Sequence, residues 1–274
     1  MSLQIGLGWN TVKVEPDGAD GYDIIGDIHG CADALQLLLL DLGYRQKNGA
    51  FRHPFRKAVF LGDLIDRGPH IRDVLHIVRA MVETNSAYLT LGNHEYNAIC
   101  YETRAPEDAK YKYLRPHFPR HKSHLVATLA QFSDHREEWL DMVEWLKTRP
   151  ICLEFEHFRA VHACWDQVEI NKLRERNVNC NLADEEFLFA STLKENPEYR
   201  MVERLLKGTE IKIILSHANE THPIVSCDGH NQMSVLPGDK IYIRKKAHKL
   251  QLLHPMQHNF YESCRSKLGW GGTP

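Results

Sequence analysis

Short apolar runs alternate with stretches whose apolar residues recur at helical spacing, and this alternation organises the first hundred positions. Residues 22–26 (YDIIG) form a compact apolar run bounded by glycine, and CADALQLLLLDLGY comes next with leucines at helical spacing that stop at Gly43. The pattern recurs in KAVFLG (57–62), a polar turn holding Gly68 and Pro69, and the amphipathic stretch HIRDVLHIVRAMVET (70–84). A third strand is predicted at AYLTLG (87–92). Strands separated by helices of this length require parallel crossovers, so the segment is expected to fold as βαβαβ with helices over the sheet.

From 96 to 150 the chain turns polar and helical. Its clearest helix is predicted to start at Asp134 as N-cap, with Glu137 three positions on and Trp139, Val143 and Leu146 facing inward. A β-like run, HFRAVHA (157–163), returns and ends near a histidine. Helical sequence at about 184–207 leads to Gly208 and another apolar β-branched run, IKIILSHA (211–218), which also closes on a histidine. The expected organisation is one domain over 1–274, with a helical insertion at about 96–150 and a basic tail at about 237–274. No internal repeat or low-complexity segment interrupts it.

Composition narrows the classes without selecting one. Hydrophobic residues at 43% and charged residues at 26% match ordinary globular chains and exclude collagen-like and disordered classes. A net charge of −2 gives no global drive toward nucleic acid or an anionic membrane. The first residues, MSLQIGLGWN, lack a basic segment leading into an apolar run, and no stretch approaches the roughly eighteen apolar residues of a spanning helix, so a cytoplasmic location is expected. Seven scattered cysteines without a CxxC pair point to free thiols rather than disulfides or a thiolate zinc site.

The chemistry lies in the residues just past each apolar run: Asp27 and His29, then Asp63, then Asn93 and His94, then His162, then His217. In open α/β sheets ligands bind beyond the carboxyl ends of the strands, where loops converge. If the strand continued through 27–29, alternate residues would share a side, bringing Asp27 and His29 to one ion while Ile28 packs inward. A single aspartate at a strand end is most often a cap or turn residue; five coincident strand ends favour a metal centre. Carboxylates, imidazoles and an amide oxygen without thiolate suit manganese, with iron or zinc also accommodated. Two ions need a bridging group, and Asp63, central in chain order, is the expected bridge. Such a pair generates hydroxide near neutral pH and clamps a phosphoryl group under displacement.

The motifs GDIHG (26–30), GDLIDRG (62–68) and GNHE (92–95) resemble the three core motifs of the phosphoprotein phosphatase group of calcineurin-like metallophosphoesterases. The GDIHGC form and AVHACWD (160–166) look most like the bacterial branch, which holds symmetrical diadenosine tetraphosphatases and related serine/threonine protein phosphatases. The resemblance implies a four-layer α/β/β/α sandwich of two mixed sheets. It implies that Asp27 and His29 hold a first metal, Asp63 bridges, and Asn93 and His162 hold a second. The family's last metal histidine falls best on His217, with His222, His230, His248, His254 and His258 also open. Arg67 would bind phosphoryl oxygens, His94 would protonate the leaving oxygen, and Asp66 would orient His94. Eukaryotic relatives carry HGG where this chain has His162, Ala163 and Cys164; Cys164 and Cys31 are read as packing residues rather than nucleophiles.

The implied activity is hydrolysis of a phosphate ester or phosphoanhydride by a metal-bridging hydroxide. The substrate is a dinucleoside polyphosphate or a phosphorylated protein, with no membrane partner and no specific nucleic acid. A non-catalytic phosphate- or nucleotide-binding module with the same fold is the alternative, and intact Asp66, Arg67 and His94 speak against it. One further feature is KYKYLRPHFPRHKSH (110–124), which interleaves basic and aromatic residues. It has the composition to hold a nucleotide, although a solvated insertion anchored by its aromatics is the commoner use of such a run. A second basic run, Arg244 to Lys246, is read as solvated surface.

Overall fold

The computed structural model describes residues 13–207 except 16 and 178, and beyond them the backbone of four short strands. In chain order the elements are β1 (Gly21–Ile25), α1 (Ala32–Asp41), β2 (Arg45–Lys47), β3 (Ala50–Arg52), β4 (Arg56–Phe60), α2 (Ile71–Glu83), β5 (Ala87–Leu89), α3 (Asn93–Glu102), α4 (Pro119–Gln131) and α5 (Arg136–Lys147). Next come β6 (Cys152–Glu154), β7 (Arg159–Val161), α6 (Gln167–Arg176), α7 (Glu185–Ala190), α8 (Pro197–Lys207), β8 (Glu210–Ile214), β9 (Ile224–Cys227), β10 (Asn231–Ser234) and β11 (Lys240–Arg244). Two compact units divide the chain, Met1–Ile243 and Arg244–Pro274; all site residues named below lie in the first.

The βαβαβ expectation is met: β1, β4 and β5 form a parallel sheet in the order β1-β4-β5, each crossing back through a helix. Period-two alternation divides its side chains between two faces. Ile25, Ala58, Phe60, Ala87 and Leu89 face a large core that also takes in Leu35 and Leu39 of α1 and Val74, Leu75 and Val78 of α2. Each such fully buried aliphatic side chain contributes about 1.5–3 kcal/mol. On the opposite face Val59, with Tyr22, Leu61 and Tyr88 beside it, meets Leu153, Phe155 and Ala160 of the antiparallel β6–β7 hairpin. The described residues thus stack helices, a parallel sheet and a second β layer.

Helices α3, α4 and α5, the segment expected as an insertion, share the same main core through Ile99, Leu125, Trp139, Val143 and Leu146. The predicted start of α5 is corrected by one residue. Its N-cap is His135 rather than Asp134, without a side-chain cap, and Glu137 and Glu138 place negative charge in the first turn, near the positive end of the helix dipole. The tail from about 237 lies outside the described residues except for the backbone of β11.

Candidate active site

Three loops converge where β1, β4 and β5 end, and hydrogen bonds between their backbones fix them to one another. Ile28 and His29 both donate through backbone N–H to the Asp63 carbonyl (3.0 and 2.9 Å), Gly30 donates to Leu64, and Gly68 donates to the His29 carbonyl at 2.9 Å. Glycines allow this closeness. A methyl on Gly68 would collide with the His29 carbonyl, one on Gly62 with the Gly92 backbone, and one on Gly92 with the Asp63 carboxylate. The cost appears in the backbone: His29, Asp63, Asp66 and Arg67 all hold positive φ, at 45°, 52°, 69° and 69°. Each such residue costs about 1–3 kcal/mol and persists only where its surroundings over-determine it.

This geometry corrects one expectation. Asp27 and His29 do come together, with His29 Nε2 3.8 Å from Asp27 Oδ2, but not as alternate residues of a strand. The strand ends at Ile25 and a left-handed turn at His29 brings the imidazole round.

Asp63, 3% exposed, sits at the middle. Its Oδ2 lies 3.7 Å from His29 Nε2, 3.6 Å from His162 Nε2 and 3.9 Å from His94 Nε2. Its Oδ1 accepts the backbone N–H of His94 at 3.0 Å. Asp63 belongs to two overlapping sets, His29–Asp63–His94 and Asp27–Asp63–His162, whose ligand atoms lie within 4.8 Å of one another. Asn93 Oδ1 adjoins the second, 3.2 Å from His162 Nε2.

The donor set fits a cation on an observation independent of any motif. His29 Nδ1 is committed to the Ile65 carbonyl at 2.8 Å and His162 Nδ1 to the Leu61 carbonyl at 2.7 Å. These carbonyls hold the proton on Nδ1 and turn a bare Nε2 toward Asp63, the arrangement that orients imidazole ligands. His29 Nε2 is buried and has no hydrogen-bond partner among the described residues. A buried lone pair left without a proton donor is costly unless a cation takes it.

His94 is held differently. Its Nδ1 lies 2.6 Å from Asp66 Oδ2, and Arg67 Nη2 approaches its Nε2 at 3.4 Å. Burial works against the charged ring, but the Asp66 hydrogen bond and the charges of Asp63, Asp66 and Glu95 outweigh it, so the His94 pKa is raised. Asp66 is itself fixed, accepting from the Thr128 hydroxyl at 2.5 Å while its backbone N–H donates to Thr128 Oγ1 at 3.1 Å.

Two residues without an expected role stand out. Glu95, fully buried, accepts backbone N–H groups from Asp63 (2.7 Å), Leu64 (2.8 Å), Ile65 (3.3 Å) and Gly92 (3.0 Å), stapling the second loop to the third. Burial and the Asp63 charge push its pKa up against the pull of those N–H groups. It stands three residues after the N-cap Gly92 and accepts its N–H, the half of a capping box that a glycine N-cap allows. Thr128, on α4 and 62 residues from Asp66 in the chain, carries no such local signal. His217 lies outside the described residues.

A cleft of about 510 Å³ opens beside the cluster, lined by Arg67, by Asn93, His94 and Asn97 of α3, by Arg115 and by residues of α4. Asp27, Asp63 and His162 do not line it. Cys164 is buried as expected for packing, whereas Cys31 is an exposed free thiol preceding α1.

A parallel sheet whose strand ends gather carboxylates and imidazoles beside a cationic cleft is the arrangement of a metal-dependent phosphoester-processing class. The family model for calcineurin-like phosphoesterases matches residues 22–250, and the chain belongs to that family. Among solved structures, one assigned as a diadenosine tetraphosphatase is similar at 22% identity and TM-score 0.36, covering 56% of this chain and 54% of that one. A Saccharomyces cerevisiae protein serine/threonine phosphatase is similar at 17% identity and TM-score 0.32, covering 53% and 38%. Among curated proteins, the NAD kinase of Pseudomonas fluorescens (strain SBW25) is 54% identical over 64 residues, 23% of this chain and 22% of the kinase. The matched stretch therefore spans less than a quarter of that relative. Among the described residues no helix is long and apolar enough to cross a membrane.

Proposed function

We propose that the chain hydrolyses a phosphate ester or phosphoanhydride at a centre of two divalent metal ions, manganese first, with iron or zinc able to occupy the same donors. The observation that carries this reading is the bare, buried Nε2 of His29 facing Asp63, the carboxylate common to the His29–Asp63–His94 and Asp27–Asp63–His162 clusters. The division of ligands between two ions follows the family resemblance and not those clusters. Asp27 and His29 would hold one ion, Asn93 and His162 the other, and Asp63 both, with His217 proposed as the remaining ligand. Bound divalent ions would supply Lewis-acid polarisation and a nucleophilic water at neutral pH.

The chain's own residues then have distinct work. Arg67 offers two parallel N–H donors to phosphoryl oxygens and carries an unconditional charge. His94 keeps its Nδ1–H on Asp66, so its Nε2 is the atom that delivers a proton to the oxygen leaving phosphorus. Water adds to phosphorus, the bond to the leaving oxygen breaks, and that oxygen departs protonated. Asp66, fixed by Thr128, sets the ring plane. The alternative of a binding module without turnover leaves this proton path without a purpose. The 64-residue likeness to NAD kinases covers too little of those proteins to bring kinase activity here.

The test is hydrolysis of p-nitrophenyl phosphate, a phosphoserine peptide and diadenosine tetraphosphate with added manganese, in the wild type, Asp63→Asn and His217→Ala. Metal-dependent turnover lost in Asp63→Asn is the expected result, and turnover that survives chelation or the Asp63 change would overturn the proposal. The substrate turned over fastest names the substrate class, and loss in His217→Ala would support it as the last ligand.

A further inference from the structure

The cleft beside the metal-ligand cluster carries two guanidinium groups and no carboxylate. Its walls include Arg67, His94, Asn97, Arg115, Ser123 and His124, and none of its lining residues is aspartate or glutamate. Arg67 is exposed, but Arg115 is half-buried, and burial pulls its pKa down. Arg136 pairs with Glu102 and Arg174 with Glu154, whereas Arg149, like Arg115, has a buried Nε without a hydrogen-bond partner and no ion pair among the described residues; of these, Arg115 is the one that lines the cleft. Arg115 has no carboxylate within ion-pair distance among the described residues; Nη1 rests on the Asn97 amide oxygen at 2.8 Å, and Nε is buried without a hydrogen-bond partner among them. Leaving a partly desolvated guanidinium uncompensated is expensive, and an anionic ligand relieves the cost.

The placement of Arg115 is not loose. Its backbone N–H donates to the Cys100 carbonyl at 2.9 Å, and Leu114 donates to the Thr103 carbonyl at 3.0 Å. Two residues on, the His117 ring is sandwiched between Tyr101 (centroids 3.8 Å apart) and Tyr113 (4.1 Å). Tyr113, an aromatic available in the sequence for base stacking, thus anchors the loop that presents Arg115. Arg115 is thus pinned against α3, the helix that also carries His94, and lines the same cleft as His94 and Arg67.

On the reading that His94 protonates the leaving oxygen, whatever extends past His94 into this cleft is the leaving group. We infer that Arg115 is a specificity-determining residue that grips a second phosphate on the leaving-group side, so that the site selects substrates whose scissile phosphoryl is joined to another phosphate over simple monoesters. Arg67 would hold the phosphoryl under attack and Arg115 the phosphate that departs. Asn97 is a positioning residue that orients the Arg115 fork.

Two measurements on the manganese-loaded protein test this, comparing wild type with Arg115→Ala, Arg115→Lys and Asn97→Ala. The first is the ratio of kcat/KM for ADP, whose terminal phosphoryl leaves AMP, to kcat/KM for p-nitrophenyl phosphate. The second is calorimetric affinity for methylenediphosphonate against orthophosphate. In Arg115→Ala the ADP preference should fall at least about ten-fold, mainly through KM, and the diphosphonate preference should fall in parallel. Arg115→Lys should recover part of both, because charge survives but the fork does not. Equal losses on both substrates, or no wild-type preference for diphosphonate, would overturn the inference. If Arg115→Ala melts early by circular dichroism, Asn97→Ala carries the comparison, with a smaller loss in the same direction expected. Absence of any wild-type turnover would remove the phosphoesterase reading alone, since the calorimetric preference still decides the role of Arg115.

Discussion

The two walls of the site are built on opposite principles. On the acidic wall, 26–30, 62–68 and 92–95 are tied to one another by backbone hydrogen bonds and by the four N–H groups that Glu95 accepts. On the cationic wall, Arg115 is fixed by a loop held through stacking of His117 between two tyrosines, through backbone hydrogen bonds from Leu114, Arg115 and Ala105, and through His117 on the Tyr101 carbonyl, and among the described residues its guanidinium rests on Asn97. Like charges gathered around Asp27, Asp63 and Asp66 repel until cations arrive, so their positions have to be enforced from outside. The cationic wall is fixed by its own loop contacts, and its uncompensated charge is what an anion arriving with the substrate would balance. Both are pre-organised, one to hold repelling charges together and the other to hold a charge open for a ligand.

The largest expected effect tests the acidic wall at its centre. Asp63→Asn keeps the shape but removes the charge shared by both donor sets, and kcat/KM for any phosphoester should fall roughly 10³-fold or more, read in a metal-supplemented assay. Glu95→Gln comes next and separates enforcement from chemistry. Turning one of the two buried acceptor oxygens into an NH2 donor that faces backbone N–H groups should destabilise the protein by about 2–4 kcal/mol in thermal or urea unfolding and weaken metal affinity about 10–100-fold. An unchanged midpoint would mean that the loops hold without it.

Thr128→Val is milder. It leaves one Asp66 oxygen without its donor and should lower kcat about ten-fold with little change in KM, since it acts on the His94 ring rather than on substrate binding. The smallest effect belongs to the support of the cationic wall, where α3 ends on Glu102, 4% exposed at its side chain and held by Arg136 and Trp139. Burial raises the pKa of Glu102, but Arg136 and Trp139 outweigh it, and the net shift is downward from 4.5. A lowered carboxylate pKa contributes stability that is complete above about pH 4.5 and is lost as the pH falls through the shifted value. Glu102→Gln should therefore cost about 1–2 kcal/mol at pH 7, discounted because Arg136 is half exposed, and the difference from wild type should shrink as unfolding is measured below pH 4.5.

Much of the acidic wall was legible because its residues sit in short motifs directly after apolar runs. Asp27, His29, Asp63, Asn93, His94 and His162 lie close together past the strand ends, while the approach of Asp66 to His94 was implied by the family resemblance and not by the strand ends. The illegible remainder depended on pairs distant in sequence or on backbone shape. Thr128 meets Asp66 across 62 positions, a contact that neither period two nor period 3.6 encodes. The turn at His29 is invisible to periodicity, which is why alternation along a strand gave the right neighbours by the wrong route. The β2–β3 hairpin and β6 have three residues in each strand, too few for an alternating pattern to emerge. Glu95 follows Gly92 by three residues, but a glycine cannot complete a capping box, and nothing in the motif announces a staple between two loops. Arg115 was noticed as part of a basic run, while its solitude inside the cleft depends on which acids fold near it.

The glycine contacts at 62, 68 and 92 carry a lesson for anyone redesigning this protein. Each is a place where one loop's backbone fills the space another loop's Cβ would need, so the three motifs cannot be varied one at a time. A mutant library spread over 26–30, 62–68 and 92–95 would consist mostly of inactive clones whatever its diversity. The same effort spent on 110–127, where no glycine is interlocked and side chains face an open cleft, would sample new leaving groups while the machinery that cuts them stays in place.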